Sequence, residues 1–213
     1  MEFINPQLLA YAEQHTTPES DLLKKISRHT RANVMMPRML SGHMQGRILS
    51  MLSHMLRPKR ILEIGTYTGY SAICLAEGLA SDGKLITIDI NEELEDTVRN
   101  YFQQSPYADR IDYRIGNATT IIPGLTEKFD LVFIDADKEN YSKYFDLVID
   151  SVNLNGIILA DNVLWSGKVL DEKPDKDTRA ILGFNDKVSK DSRVESVLLP
   201  VRDGIMMLRK VKQ

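Results

Sequence analysis

The chain has 213 residues, of which 43% are hydrophobic and 27% charged, and its formal net charge is −3. These values fit one α/β domain or a domain with an extension, and they exclude a strongly basic nucleic-acid-binding surface. No apolar stretch reaches the roughly 18 residues that a membrane span needs, and a single cysteine, Cys74, excludes an internal disulfide. We therefore expect a cytoplasmic protein that binds neither nucleic acid nor membrane.

The first 57 residues are predicted to be helical and to form an extension ahead of a main domain at residues 58–213. Thr17 is predicted to cap a helix whose first position is Pro18. An apolar stripe with helical spacing follows, and it favours a core or a dimer surface over a cofactor site. The stripe consists of Met44, Ile48, Met51, Leu52 and Met55.

From residue 60 onward, apolar runs alternate with helical patterns, which predicts βαβ units and a largely parallel sheet. Only five residues separate the last two runs, so no crossover helix fits and these two strands should pair antiparallel. The predicted strands are Arg60–Ile64, Lys84–Ile88, Ile111–Ile115, Leu131–Ile134, Ile157–Ala160, Val194–Leu199 and Ile205–Arg209. The predicted helices are Tyr70–Leu79, Glu92–Gln104, Asn140–Val152 and Asp177–Lys190.

A glycine-rich turn follows the first predicted strand, with Gly65 and Gly69 in a Gly-x-x-x-Gly spacing. This differs from the Gly-x-Gly-x-x-Gly pattern of dinucleotide-binding proteins. The second strand ends at Asp89, about 20 residues further on, where an acid suits a pair of ribose hydroxyls. Gly116-Asn117-Ala118 ends the third strand at the same edge and could border an adenine.

Two further strands end in polar side chains. The run at 131–134 leads into Asp135, with Lys138 close behind, and the run at 157–160 leads into Asp161 and Asn162. Ligands of open α/β sheets lie outside the carboxyl ends of the strands, so these side chains should share one edge. An all-oxygen set favours Mg²⁺, Mn²⁺ or Ca²⁺ over zinc.

In combination, these residues resemble the class I S-adenosylmethionine-dependent methyltransferases, and more narrowly the cation-dependent O-methyltransferases of the caffeoyl-CoA and catechol type. The resemblance implies a Rossmann-like, doubly wound, seven-stranded and mostly parallel sheet with an antiparallel last strand, preceded by N-terminal helices. It also implies a homodimer. The matching stretches are Leu62–Ser71, Ile86–Asn91, Phe133–Tyr141, Gly156–Gly167 and Leu199–Gly204.

The resemblance also assigns site residues. The implied metal ligands are Asp135, Asp161 and Asn162, and the implied general base is Lys138. Asp135 is counted as a catalytic residue and a cofactor contact as well. The remaining implied cofactor contacts are Met39, Ser41, Glu63, Gly65, Thr66, Tyr67, Ser71, Asp89 and Ala118.

The implied reaction moves a methyl group from S-adenosyl-L-methionine to a hydroxyl of a catechol-like small molecule, with Mg²⁺ as the favoured cation. The catechol enzymes carry a further carboxylate that grips the second hydroxyl, but no acid lies at the equivalent position near Val197, and Glu195 is the nearest. The acceptor and the regiochemistry therefore stay open.

Three other functions are considered. Asp135-x-Asp137 after an apolar strand mimics the nucleophile motif of phosphotransferases of the haloacid dehalogenase type, although that motif leaves the Gly65 turn without a purpose. A nicotinamide dehydrogenase conflicts with the glycine spacing and the terminal hairpin. A non-catalytic S-adenosylmethionine-binding module would bind the cofactor without turnover.

Overall fold

A computed structural model describes residues 5–212, and its centre is a seven-stranded sheet in the order β3-β2-β1-β4-β5-β7-β6. Six strands are parallel, and β7 runs antiparallel to both of its neighbours, β5 and β6. The predicted fold class and the terminal hairpin are thus confirmed. The strands are β1 (Arg60–Ile64), β2 (Lys84–Asp89), β3 (Ile111–Ile115), β4 (Phe129–Ile134), β5 (Val152–Asp161), β6 (Val194–Leu199) and β7 (Ile205–Lys210).

Eight α-helices precede, connect and flank the strands within the described residues. They are α1 (Pro6–Gln14), α2 (Asp21–Asn33), α3 (Gly42–Leu56), α4 (Tyr70–Ala76), α5 (Glu95–Gln104), α6 (Ala118–Ile121), α7 (Tyr141–Ile149) and α8 (Lys176–Lys190). Short 3-10 segments add Pro37–Met39 before α3, Lys138–Asn140 before α7 and Trp165–Leu170 after β5.

The predicted start of the second helix is wrong. Thr17 and Pro18 lie in the connection before α2, and the cap is Ser20, whose hydroxyl accepts from the backbone N–H of Leu23 at 3.3 Å. Asp21 then occupies the first turn, where an acid is stabilised by the positive end of the helix dipole. Ser20 provides both the cap oxygen and the right spacing, so the helix begins three residues later than Pro18.

The central strands are buried on both faces, as their continuous apolar runs predict. In β4, Leu131 and Phe133 belong to one core cluster and Val132 and Ile134 to the other, and all four are 0% exposed. Alternate side chains of a strand point to opposite faces, so the sheet separates two hydrophobic layers. Leu23 and Ile26 of α2 and Leu49 of α3 join one of these layers, so the N-terminal helices share the core of the sheet.

No helix among the described residues is long and apolar enough to cross a bilayer.

Candidate active site

A cleft of about 1810 Å³ opens at the carboxyl edge of the sheet. The ends of β1 to β5 and the β6–β7 turn contribute to its wall, as does the segment between α2 and α3. Parallel strands all present their carboxyl ends to this edge, so the topology itself gathers the polar residues that follow them. Every predicted site residue lines the cleft except Glu63: Met39, Ser41, Gly65, Thr66, Tyr67, Ser71, Asp89, Ala118, Asp135, Lys138, Asp161 and Asn162.

The glycine-rich turn lies directly against the end of β4. Gly65 has a φ of +100°, and a Cβ atom at this position would lie 1.9 Å from the backbone oxygen of Asp135. Gly69 has a φ of +80° and precedes α4. Only glycine combines this conformation with so close an approach, so the turn can lie flat beside the acidic end of β4.

Asp89 is held in place by the same turn. Its Oδ2 accepts from the backbone N–H groups of Thr66 (2.9 Å) and Tyr67 (2.6 Å), and its Oδ1 accepts from Asn91 at 2.9 Å. Beside it, the backbone N–H of Gly116 donates to the carbonyl oxygen of Asp89 at 2.7 Å, which brings the end of β3 alongside. The carboxylate is thereby fixed at the cleft wall, and one lone pair, on Oδ1, remains for a ligand.

Glu63 lies fully buried beneath the turn instead of facing the cleft. Thr87 donates its hydroxyl to Glu63 Oε2, and within residues 5–212 no group donates to Oε1. Burial raises the pKa of Glu63 to about 8, and the neighbouring acids Asp135 and Asp89 also act to raise it. Burial therefore favours the neutral form of the Glu63 side chain over the charged form.

Because Glu63 is buried, we expect rising pH to lower the stability of wild type relative to Glu63→Gln. Between about pH 4.5 and pH 8 the unfolded chain releases the Glu63 proton and the folded chain keeps it, so rising pH favours unfolding. We expect wild type to lose up to about 1.4 kcal/mol of unfolding free energy per pH unit relative to the variant. Urea unfolding of both proteins at pH 5.5 and 8 measures this difference. An equal change in unfolding free energy between the two pH values in both proteins would contradict it.

The segment between α2 and α3 covers the glycine-rich turn. The Tyr67 hydroxyl donates to the backbone oxygen of Met35 at 2.9 Å, and Met39 is 54% exposed in the cleft wall. Ser41, 7% exposed, lies at the start of α3. The segment thus contacts the turn through the Tyr67 hydroxyl and shares the cleft wall with it.

Two of the three predicted metal ligands, Asp135 and Asn162, accept hydrogen bonds from one ammonium group, and the third, Asp161, is the residue before Asn162. Lys138 Nζ donates to Asp135 Oδ1 at 3.2 Å and to Asn162 Oδ1 at 2.9 Å, and Asn162 adopts a left-handed φ of 59°. The neighbouring Asp161 is 3% exposed, and burial, followed by the repulsion of Asp135, raises its pKa. Two carboxylates and an amide oxygen that already attract a cationic side chain, at a buried position, fit a hard divalent cation.

Only two of these three ligands are carboxylates. Accordingly, no group of three or more His, Cys, Asp and Glu side chains within residues 5–212 is arranged to hold a metal. Three protein ligands would leave the other positions of a six-coordinate cation free.

Three further side chains join this network without having been predicted. Tyr141 lies beneath Lys138 and donates its hydroxyl to the backbone oxygen of Asp161 at 3.0 Å, while Lys138 Nζ lies 2.5 Å from that hydroxyl. Gln45 of α3 donates to Asp161, and Arg202 of the β6–β7 turn donates in turn to Gln45. The sequence signal for Gln45 is its spacing of four residues from Leu49, which places both on the buried face of α3.

The sheet order, the antiparallel β7, the glycine-rich turn after β1 and the acid at the end of β2 define an S-adenosylmethionine-dependent methyltransferase. More narrowly, an O-methyltransferase family model matches residues 13–211, and the chain belongs to this family. The resemblance inferred from the sequence is therefore confirmed, and so is the enzyme class: an S-adenosylmethionine-dependent O-methyltransferase.

Individual relatives show the same class. The chain is 37% identical over 181 residues to a caffeoyl-CoA O-methyltransferase of Eucalyptus gunnii, across 79% of this chain and 72% of that protein. A methyltransferase of Podospora anserina, solved with SAH, matches with a TM-score of 0.89 at 29% identity, covering 96% of this chain and 94% of that chain. An O-methyltransferase of Bacillus cereus, also in complex with SAH, has a TM-score of 0.88 at 29% identity, covering 96% and 97% of the two chains.

Proposed function

We propose that this O-methyltransferase is divalent-cation-dependent and transfers the methyl group of S-adenosyl-L-methionine to one hydroxyl of a catechol-like aromatic molecule. The observation that carries the proposal is the Lys138 ammonium held by Asp135 and Asn162, next to the buried carboxylate of Asp161. The glycine-rich turn of the cofactor site touches the backbone of Asp135, so the two proposed sites adjoin.

The acceptor hydroxyl needs help because a phenol, with a pKa near 10, is mostly protonated at neutral pH. Asp135, Asp161 and Asn162 hold the cation, Mg²⁺ by preference, with Mn²⁺ or Ca²⁺ as possible substitutes. When bound, the cation supplies Lewis-acid stabilisation of the phenolate and orients the two vicinal oxygens. Lys138, as the neutral amine, accepts the proton of the reacting hydroxyl. The oxygen lone pair then forms a bond to the methyl carbon while the sulfonium S–C bond breaks, so that S-adenosylhomocysteine is the leaving group.

The cofactor is proposed to lie along the turn at residues 65–71. Asp89 accepts from a ribose hydroxyl, since the remaining lone pair on its Oδ1 is available in the cleft. The backbone at Ala118 borders the adenine. The methionine part is bounded by Gly65 and Ser71 and covered by Met39 and Ser41. Glu63 lies beneath the turn and is proposed to support it there, without lining the cleft.

The cleft wall supports an aromatic acceptor with an anionic tail. Trp165 lies over the Lys138 ammonium, with 5.7 Å between Nζ and the ring centroid, and its buried indole N–H has no partner within residues 5–212. The cationic side chains of Arg38 and Lys168 line the same cleft. The relatives named caffeoyl-CoA O-methyltransferases act on an acceptor of this kind, as their name states.

A homodimer is part of the proposal, and so is a cytoplasmic location. Apolar side chains on α1 and α3 lie open to solvent in the single chain, where a second copy would cover them. They are Leu8 (63% exposed), Tyr11 (61%), Met51 (63%) and Met55 (75%).

The phosphotransferase alternative is not supported. The family assignment opposes it, and the second acid of its motif is engaged elsewhere: Asp137 accepts from Tyr144 through one oxygen and from Asn140 through the other. The same assignment opposes a dehydrogenase and a non-catalytic module.

Chelation tests the cation. Methyl transfer to catechol, caffeic acid and a caffeoyl thioester should fall to background after dialysis against EDTA and return with Mg²⁺ or Mn²⁺, because the phenolate is not stabilised otherwise. The measurement is product formation by chromatography, with guaiacol, which has one free hydroxyl, as the acceptor control. Transfer to catechols that survives full chelation would contradict the mechanism.

A further inference from the structure

The side-chain amide of Gln45 is held at both ends. Its Nε2 donates to Asp161 Oδ2 at 2.6 Å, and its Oε1 accepts from Arg202 Nη1 at 2.7 Å. Gln45 is 1% exposed and Asp161 3% exposed, so water does not compete for these bonds. Since a guanidinium only donates, it fixes which end of the amide faces Asp161.

This arrangement fixes the carboxylate without neutralising it. Asp161 Oδ1 accepts from the backbone N–H of Asn162 at 2.8 Å, so each carboxylate oxygen has one protein donor and one free lone pair. A neutral amide leaves the negative charge of Asp161 available to a cation, whereas an arginine in direct contact would oppose cation binding. Gln45 keeps the charge of Arg202 one side chain away.

Arg202 extends the same network to the cofactor side. Its Nη1 and Nη2 lie 3.5 and 3.4 Å from the backbone oxygen of Leu40. Leu40 stands between Met39 and Ser41, the two residues proposed to close over the cofactor. A continuous path of polar contacts thus runs from Asp161 through Gln45 and Arg202 to the covering segment.

We propose that Gln45 is a positioning residue that holds Asp161 in its cation-binding orientation, and that Arg202 couples cation binding to cofactor binding by fixing both Gln45 and Leu40. The proposal rests on the cation-dependent function proposed above. Partners that orient a metal ligand typically account for 10- to 100-fold in metal affinity. Coupling between two sites is reciprocal, so it can be measured from either ligand.

The test measures Mn²⁺ affinity by titration calorimetry and by Mn²⁺ electron paramagnetic resonance, with and without S-adenosylhomocysteine. We expect Gln45→Leu to weaken Mn²⁺ binding about 10- to 100-fold. S-adenosylhomocysteine should tighten Mn²⁺ binding at least about fivefold in wild type and not in Arg202→Met, because the path is cut. Arg209→Met is the matched control: Arg209 is 45% exposed, pairs with Glu195 at the far end of β7, and should behave as wild type.

Each outcome is decisive. Unchanged Mn²⁺ affinity in Gln45→Leu would overturn the positioning role of Gln45. Unchanged coupling in Arg202→Met would overturn the coupling role of Arg202. Either result leaves the proposed function standing. Absence of Mn²⁺ binding to wild type would overturn both this inference and the proposed function. If the buried Gln45→Leu variant does not fold, the half-buried Arg202→Met variant decides alone through the coupling. Melting curves and S-adenosylhomocysteine affinity without Mn²⁺ identify folded protein.

Discussion

Asp135→Asn should lower the rate of methyl transfer to a catechol by about a thousandfold, equivalent to roughly 4 kcal/mol of transition-state stabilisation. The substitution keeps the shape of the side chain and removes one of two negative charges from the proposed cation site. The Lys138 ammonium, which now donates to Asp135 Oδ1, also loses a charged partner. The measurement is kcat/KM at saturating Mg²⁺, together with Mn²⁺ affinity.

Asp137→Asn is the matched control, two residues further along the chain. Asp137 is exposed, and its oxygens accept from Asn140 and Tyr144 instead of meeting the cation site. We expect its activity to stay within about threefold of wild type, a change of less than roughly 0.7 kcal/mol. Equal losses in both variants would argue against a specific role for Asp135 and would return attention to the Asp-x-Asp motif.

Gly65→Ala should destabilise the protein by about 3 kcal/mol and abolish cofactor binding. A Cβ atom would lie 1.9 Å from the Asp135 backbone oxygen, so the backbone must move, and a φ of +100° is strained for any L-residue. The clash and the strained conformation would both be relieved by moving the turn away from the end of β4. Urea unfolding measures the loss of stability, and calorimetry with S-adenosylhomocysteine measures the loss of cofactor binding.

Gly183→Ala controls for the chemistry of this substitution. Gly183 is an exposed residue within α8, and a Cβ atom there would have no neighbour within 4 Å. Alanine costs less backbone entropy than glycine in a helix, so we expect a gain of about 0.5–1 kcal/mol. A loss of stability in both variants would contradict the steric argument for Gly65.

Much of the fold was predictable because the strands are buried on both faces. Continuous apolar runs such as Leu131–Ile134 stand out, and the predicted bounds of β1, β3 and β6 agree with the structure. The predicted bounds of β5 are wrong because a turn signal lies inside this strand. β5 begins at Val152 instead of Ile157, because Val152 pairs with Phe129 ahead of a shift in register, and the Asn155-Gly156 turn signal conceals that pairing.

The strand-end residues of the site were predictable for the same reason. Asp89, Asp135 and Asp161 each follow an apolar run, and parallel topology takes all three to one edge. Gln45 was not predicted, because it contacts Asp161 across 116 residues of sequence. Arg202 was not predicted, because it is linked to Asp161 only through the side chain of Gln45. Likewise, spacing in the sequence could not show that Glu63 lies beneath the turn and not in the cleft.

The position of β7 has a consequence for how the chain folds during synthesis. β7 is synthesised after both of its neighbours, β5 and β6, yet it inserts between them. Until then β6 has no partner and β5 presents an open edge, an arrangement that invites pairing with other chains. The nascent protein therefore needs β7 to close the sheet, and a chain cut short before β7 should aggregate.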